Sequence, residues 1–207
     1  MTPPRAELER RWSALHHDID PDAVPLLGPW LRLVWAGGWA LDRAGVPPNA
    51  VTVAGVAAAA GAVALAGAHP AAAGAAVVAA ALCDGLDGAT AVVGDRATRS
   101  GAVLDAVADR LGDGAFAAVL WRRGAPPRLA AAAAGTAWAV DGLRRARRTP
   151  DRITAAERPT FTICALAACA AGSFTRRRWP ATVSAAVWLG AGAVAFVQLG
   201  SARPSDP

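Results

Sequence analysis

Lysine is absent from this 207-residue chain, so all 21 basic residues are arginine, set against 16 Asp plus Glu. The resulting charge of +5 invites a nucleic-acid partner. The distribution excludes it. The arginines fall in short clusters between apolar segments and not along one helix, as the flanks of membrane segments do. Cysteine is scarce too: Cys83, Cys164 and Cys169 stand apart within apolar runs with no metal-ligand spacing, and read as small buried hydrophobes. The only histidines, His16, His17 and His69, lie far in sequence from the acidic residues considered below, so imidazole-based catalysis is not expected. The first ~24 residues lack the charged, apolar and small-residue succession of a cleavable signal. They read as a cytoplasmic lead. No internal repeat of fixed period occurs.

Apolar residues, by contrast, are abundant, at 54% of the chain with a mean hydropathy of +0.31. Residues 51–68 and 71–83 carry no charge at all, whereas a soluble Ala-rich bundle would show polar faces at helical spacing. The pattern predicts an all-α fold, a polytopic membrane helical bundle with about six spans near residues 51–68, 71–92, 101–120, 128–143, 159–174 and 180–199. Ahead of them, residues 26–44 are apolar with Trp30, Trp35 and Trp39 but broken by Arg32 and Asp42. Tryptophan favours the membrane interface, so this stretch predicts an interfacial amphipathic helix, with a short span as the alternative. Pro47 and Pro48 then break the chain, and Asn49 or Thr52 is suited to a helix entrance. The domain reading is a lead and juxtamembrane helix over residues 1–45, a membrane domain over 46–200 and a tail over 201–207.

Four aspartates interrupt two of the apolar segments. Asp84 and Asp87 are spaced i, i+3 and Asp105 and Asp109 i, i+4, so on helices each pair projects from one face. An ionised carboxylate near the bilayer centre costs about 2.5–3.5 kcal/mol on insertion scales, and four need compensation. Clustered carboxylates without Cys or His suit a hard divalent cation, Mg²⁺ or Mn²⁺. Gly88 follows the second aspartate directly and Gly101 precedes the third by four residues, where a ligand can approach the backbone closely. Small residues also let membrane helices pack, and for the glycines alone both readings stand.

The run Asp84-x-x-Asp87-Gly88-x-x-Ala91, then Gly101-x-x-x-Asp105-x-x-x-Asp109, resembles the signature of the CDP-alcohol phosphotransferase family, D-x2-D-G-x2-A-R-x8-G-x3-D-x3-D. One position departs: Val92 stands where the family has arginine, with Arg96 and Arg99 following in the loop. The resemblance implies attack of an alcohol hydroxyl on the β-phosphorus of a CDP-linked donor, with release of CMP. It implies two divalent ions held by Asp84, Asp87, Asp105 and Asp109, with Asp105 and Asp109 as the catalytic pair and Asp109 a ligand or the base. It further implies a nucleotide site including Gly88, Ala91, Gly101, Asn49 and Thr52, to which Arg96 and Arg99 are added from the loop. Expected partners are a CDP-linked lipid donor, an alcohol acceptor, membrane lipids and a second copy in a homodimer. The expected location is the plasma membrane with the site facing the cytoplasm.

Charge supports that orientation: with the motif loop inside, 14 arginines lie on the cytoplasmic side and six outside. The loop after the fourth span carries Arg144, Arg145, Arg147 and Arg148, then Glu157-Arg158-Pro159. It reads either as a topogenic charge run or as cations that receive an anionic acceptor. The inositol-phosphate branch of the resembled family has a similar basic stretch followed by Glu-Arg-Pro, which makes Arg144, Arg145, Arg147, Arg148 and Arg158 the acceptor candidates. The competing readings are an intramembrane prenyltransferase using a diphosphate donor, and a non-catalytic membrane partner resting on Val92.

Overall fold

A computed structural model describes residues 5–15, 27–147, 154–175 and 177–201; among them the chain forms eight helices and no strand. These are α1 (Arg5–Leu15), α2 (Leu27–Arg43), α3 (Pro48–Leu65), α4 (Pro70–Val93), α5 (Arg99–Arg122), α6 (Pro127–Ala146), α7 (Arg158–Phe174) and α8 (Trp179–Gly200). Proline opens α3, α4, α6, α7 and α8, where its fixed φ suits the first turn and its missing N–H leaves nothing unpaired. α5 starts differently: Thr98 accepts a hydrogen bond from Gly101 N–H at 3.0 Å, an N-cap of the usual kind.

The six predicted spans coincide with α3 to α8 within a few residues. Three of them, α3, α4 and α8, are long and apolar enough to cross a membrane. The other three fall short because of charge or length: α5 carries Asp105, Asp109, Arg110 and Asp113 in its middle, α6 has Asp141, Arg144 and Arg145 near its end, and α7 has 17 residues. Yet α5 keeps an apolar stripe. Val103, Val107 and Leu111 recur every four residues and are exposed, as suits a helix with one face toward lipid.

The chain divides into two compact units, Met1–Gly55 with Ala81–Ala108, and Val56–Ala80 with Asp109–Pro207. In the first, Leu8 of α1 and Leu31, Val34 and Trp35 of α2 form an apolar cluster with Ala89, Val92 and Val93 of α4. Gly38 allows this approach, because a Cβ there would sit 2.8 Å from the Ala89 carbonyl carbon and 2.9 Å from Thr90 N. α2 is amphipathic as predicted, with Leu31, Val34, Trp35 and Gly38 buried on one face and Arg32 and Leu33 exposed on the other. Arg11 donates to the Val92 carbonyl at 3.3 Å, a cation at the C-terminus of α4. Its Nε also donates to Glu7 at 2.8 Å, and that bond holds the Glu7 carboxyl below the usual range.

The second unit is built around Trp188, fully buried and stacked on Phe161 at 4.4 Å between ring centroids. α8 packs on both α6 and α7, with Thr136 against Gly192. Arg147 donates to the carbonyls of Leu199 and Gly200, each at 3.1 Å, satisfying acceptors that the end of α8 leaves open.

Candidate active site

The last turns of α4 and the first of α5 carry the acidic motif. Asp84 on α4 and Asp105 on α5, both in the first unit, bring carboxylate oxygens within 4.8 Å of one another. Asp87 is buried and bonded otherwise: Thr52 Oγ1 donates to it at 2.6 Å. Asp87 lines the same cleft as Asp105, with its carboxylate held by the hydroxyl of α3. All-oxygen carboxylate donors at this spacing fit a hard divalent cation, which would also relieve the repulsion between Asp84 and Asp105.

Beside these aspartates the first unit holds a cleft of about 470 Å³, within the roughly 300–1,000 Å³ range of small-molecule sites. Asn49, Thr52, Gly88, Ala91, Arg96, Arg99 and Gly101 all line it, together with Asp87 and Asp105. The structure thus brings every residue expected at the nucleotide to one surface. Gly88 leaves open space, since a Cβ there would meet nothing within 4 Å. The N-terminus of α5 also opens into the cleft through Thr98 and Arg99, giving it positive character.

Val92 touches the rim of the cleft but is buried in the apolar cluster with Leu8, Leu31 and Trp35. In this chain the position where the resembled signature has arginine serves the packing of α1 and α2 on α4. Arg96, in contrast, lies at the cleft and pairs with Asp42 at 3.0 Å.

The second unit has its own, smaller polar cavity of about 140 Å³, lined among others by Arg110, Asp113, Asp141, Arg144, Glu157 and Arg158. Arg158 lies along α5, with Nη1 at 3.1 Å from Asp109 Oδ1 and 3.2 Å from Asp113 Oδ1. Gly112 makes room for it: a Cβ there would fall 2.6 Å from Arg158 Nη2. Arg144 pairs with Glu157 at 2.5 Å. Of the other acceptor candidates, Arg145 is exposed and pairs with Asp141 at 2.7 Å, Arg147 caps α8, and Arg148 lies outside the described residues. Arg144 and Arg158 line the cavity, and Arg145 and Arg147 serve other contacts.

Sequence reasoning missed Asp113, Asp42 and Thr98. Asp113 could have been found, because Asp105, Asp109 and Asp113 recur every four residues on one helix face. Asp42 could not, since its partner is more than fifty residues away.

Within residues 46–198 the chain matches the CDP-alcohol phosphatidyltransferase family model, and it belongs to that family. It is therefore an integral membrane phosphatidyltransferase of phospholipid biosynthesis, and the prenyltransferase reading falls away. Among solved structures it resembles the phosphatidylinositol phosphate synthase PgsA1 of Mycobacterium tuberculosis. In its complex with manganese and citrate that protein is 27% identical with a TM-score of 0.65, over 80% of this chain and 86% of that one. With CDP-DAG bound, the figures are 26% and 0.63, over 82% and 90%. A comparison with curated proteins found no match.

Proposed function

We propose that the chain transfers a phosphatidyl group from a CDP-linked lipid, CDP-diacylglycerol in the first instance, to the hydroxyl of an alcohol, releasing CMP, in a reaction that requires Mg²⁺ or Mn²⁺. The observation that carries this reading is the cleft of the first unit, where Asp87 and Asp105 border the same space as Asn49, Gly88, Gly101 and Arg96. Resemblance to a protein crystallised with manganese, and again with CDP-DAG, supports both the metal and the donor.

Asp84, Asp87, Asp105 and Asp109 would hold two divalent ions, whose charge when bound would stabilise the leaving CMP. Asn49, Gly88, Ala91 and Gly101 shape the space for the nucleotide, and Gly88 leaves its backbone open to close approach. Thr52 fixes the rotamer of Asp87 through its 2.6 Å hydrogen bond. Asp109 takes the proton of the acceptor hydroxyl, and Arg158, 3.1 Å from it, orients that carboxylate. Arg144 and Arg158 line the cavity where an anionic acceptor would bind, which is the reading that the likeness to a phosphatidylinositol phosphate synthase favours. The enzyme works as a homodimer in the plasma membrane, with the site toward the cytoplasm.

The test is release of CMP from CDP-diacylglycerol by purified protein in detergent, across a panel of alcohols including inositol phosphate, glycerol phosphate and serine. Activity disappears in EDTA and returns with Mg²⁺ or Mn²⁺. Turnover that persists in chelator overturns the metal requirement, and the absence of CMP release with every acceptor overturns the donor.

A further inference from the structure

Arg96 lies five residues beyond Ala91 in sequence, yet the two line the same cleft. The turn that ends α4 explains how. Asp95 N–H bonds the Val92 carbonyl at 3.4 Å, Arg96 N–H bonds the Ala91 carbonyl at 2.8 Å, and Asp95 takes φ +52°. This Schellman arrangement folds the chain back over the last turn of α4 and sets Arg96 beside the cleft. Its side chain is 45% exposed, and it lines the cleft.

The other end of the fork is held. Asp42, one residue before the end of α2, places Oδ1 3.0 Å from Arg96 Nη2. That oxygen is buried and has no aligned hydrogen bond, so attraction to Arg96 is what compensates its loss of water. Both residues belong to the first compact unit, as does the whole lining of the cleft.

We propose that Asp42 is a positioning residue that holds Arg96 over the cleft, so that Arg96 binds the diphosphate of the donor and the juxtamembrane helix α2 takes part in donor binding. This inference rests on the CDP-linked donor proposed above. A guanidinium binds phosphate oxygens through paired N–H groups, and its planar fork can meet a carboxylate at one edge and a phosphate at another. An arginine on an unrestrained loop would lose more rotamer freedom on binding than one already held. Asp42 therefore contributes geometry, while its charge adds no attraction for the donor. With Val92 in the apolar cluster, Arg96 of this turn brings a cation to the rim that α4 itself does not supply.

A double-mutant cycle tests the proposal. Arg96→Gln should raise the KM for CDP-diacylglycerol by about 10- to 100-fold, the effect of one charge-assisted hydrogen bond, with little change in acceptor KM. Asp42→Asn should raise it by a smaller factor, roughly 3- to 10-fold, and Asp42→Glu should restore part of the loss. The double variant should be no worse than Arg96→Gln alone, since Asp42 acts through Arg96. Dissociation constants for CDP-diacylglycerol, measured by calorimetry in detergent without divalent ions, should follow the same order, and melting temperatures separate binding from misfolding. Losses that multiply as independent effects, or an unchanged dissociation constant in Arg96→Gln, would overturn the proposal. Protein that binds CDP-diacylglycerol without turning it over would overturn the transfer reading instead, and the binding cycle would still decide this one.

Discussion

Asp84 and Asp105 hold like charges within 4.8 Å of one another, a repulsion that a divalent cation shared between them would offset. Asp84→Asn and Asp105→Asn should therefore abolish turnover while leaving the protein folded, and without metal each should raise the apparent melting temperature by relieving repulsion. Assay of CMP release beside thermal unfolding in EDTA checks both halves. A lower melting temperature in EDTA would show that the carboxylates are structural. Val92 illustrates the opposite situation, in which a motif position has been given over to packing. Because its side chain is buried among Leu8, Leu31 and Trp35, Val92→Arg should destabilise the protein by about 2–5 kcal/mol, the cost of an unpaired buried charge, and should not improve donor binding. A melting temperature equal to the parent's, with a lower donor KM, would show that the guanidinium escapes to the cleft.

At the scale of elements, the approach of α2 to α4 depends on Gly38. Even Ala at this position would force its Cβ to within 2.9 Å of two backbone atoms of α4, and backbone cannot yield as a side-chain tip can. Gly38→Ala should cost about 1–3 kcal/mol, the usual penalty of overpacking, and should raise the donor KM as well, because Asp42 sits one turn further along α2. Thermal unfolding and donor kinetics on the same preparation test this. The arginines of the α6–α7 region separate in the same way. Arg147→Gln should lower the melting temperature without changing the acceptor KM, since its guanidinium serves the carbonyls of Leu199 and Gly200. Arg144→Gln, which removes a cation from the polar cavity, should raise the KM for an anionic acceptor. Equal effects of the two on acceptor KM would show that the cluster acts only as a diffuse positive field.

On the scale of the whole molecule, the expected topology puts the loop after α4 in the cytoplasm and the α7–α8 loop outside. In intact cells a membrane-impermeant thiol reagent should label Arg177→Cys, and should label Ala97→Cys only after permeabilisation. The reverse pattern would invert the orientation. Trp188 anchors the second unit through its stack on Phe161, so Trp188→Ala should cost about 3–5 kcal/mol and lower the melting temperature accordingly.

Much of this was legible in the chain because it depends on short-range periodicity. The apolar runs located α3 to α8 within a few residues, prolines marked where five of them begin, and the spacing of Asp84, Asp87, Asp105 and Asp109 set the motif on helix faces. What only the tertiary structure decided were the partners. A carboxylate's spacing says which face it leaves from, not which group will receive it: Asp87 went to Thr52, 35 residues away, Arg96 to Asp42 and Arg158 to α5. The fate of Val92 was equally hidden, because valine is silent about whether it faces a cleft or a neighbouring helix until α1 and α2 have packed against it. Helices are specified by contacts three and four residues apart, and those a sequence displays. Ion pairs and close backbone approaches join residues tens of positions apart, and they exist only once the helices have been brought together.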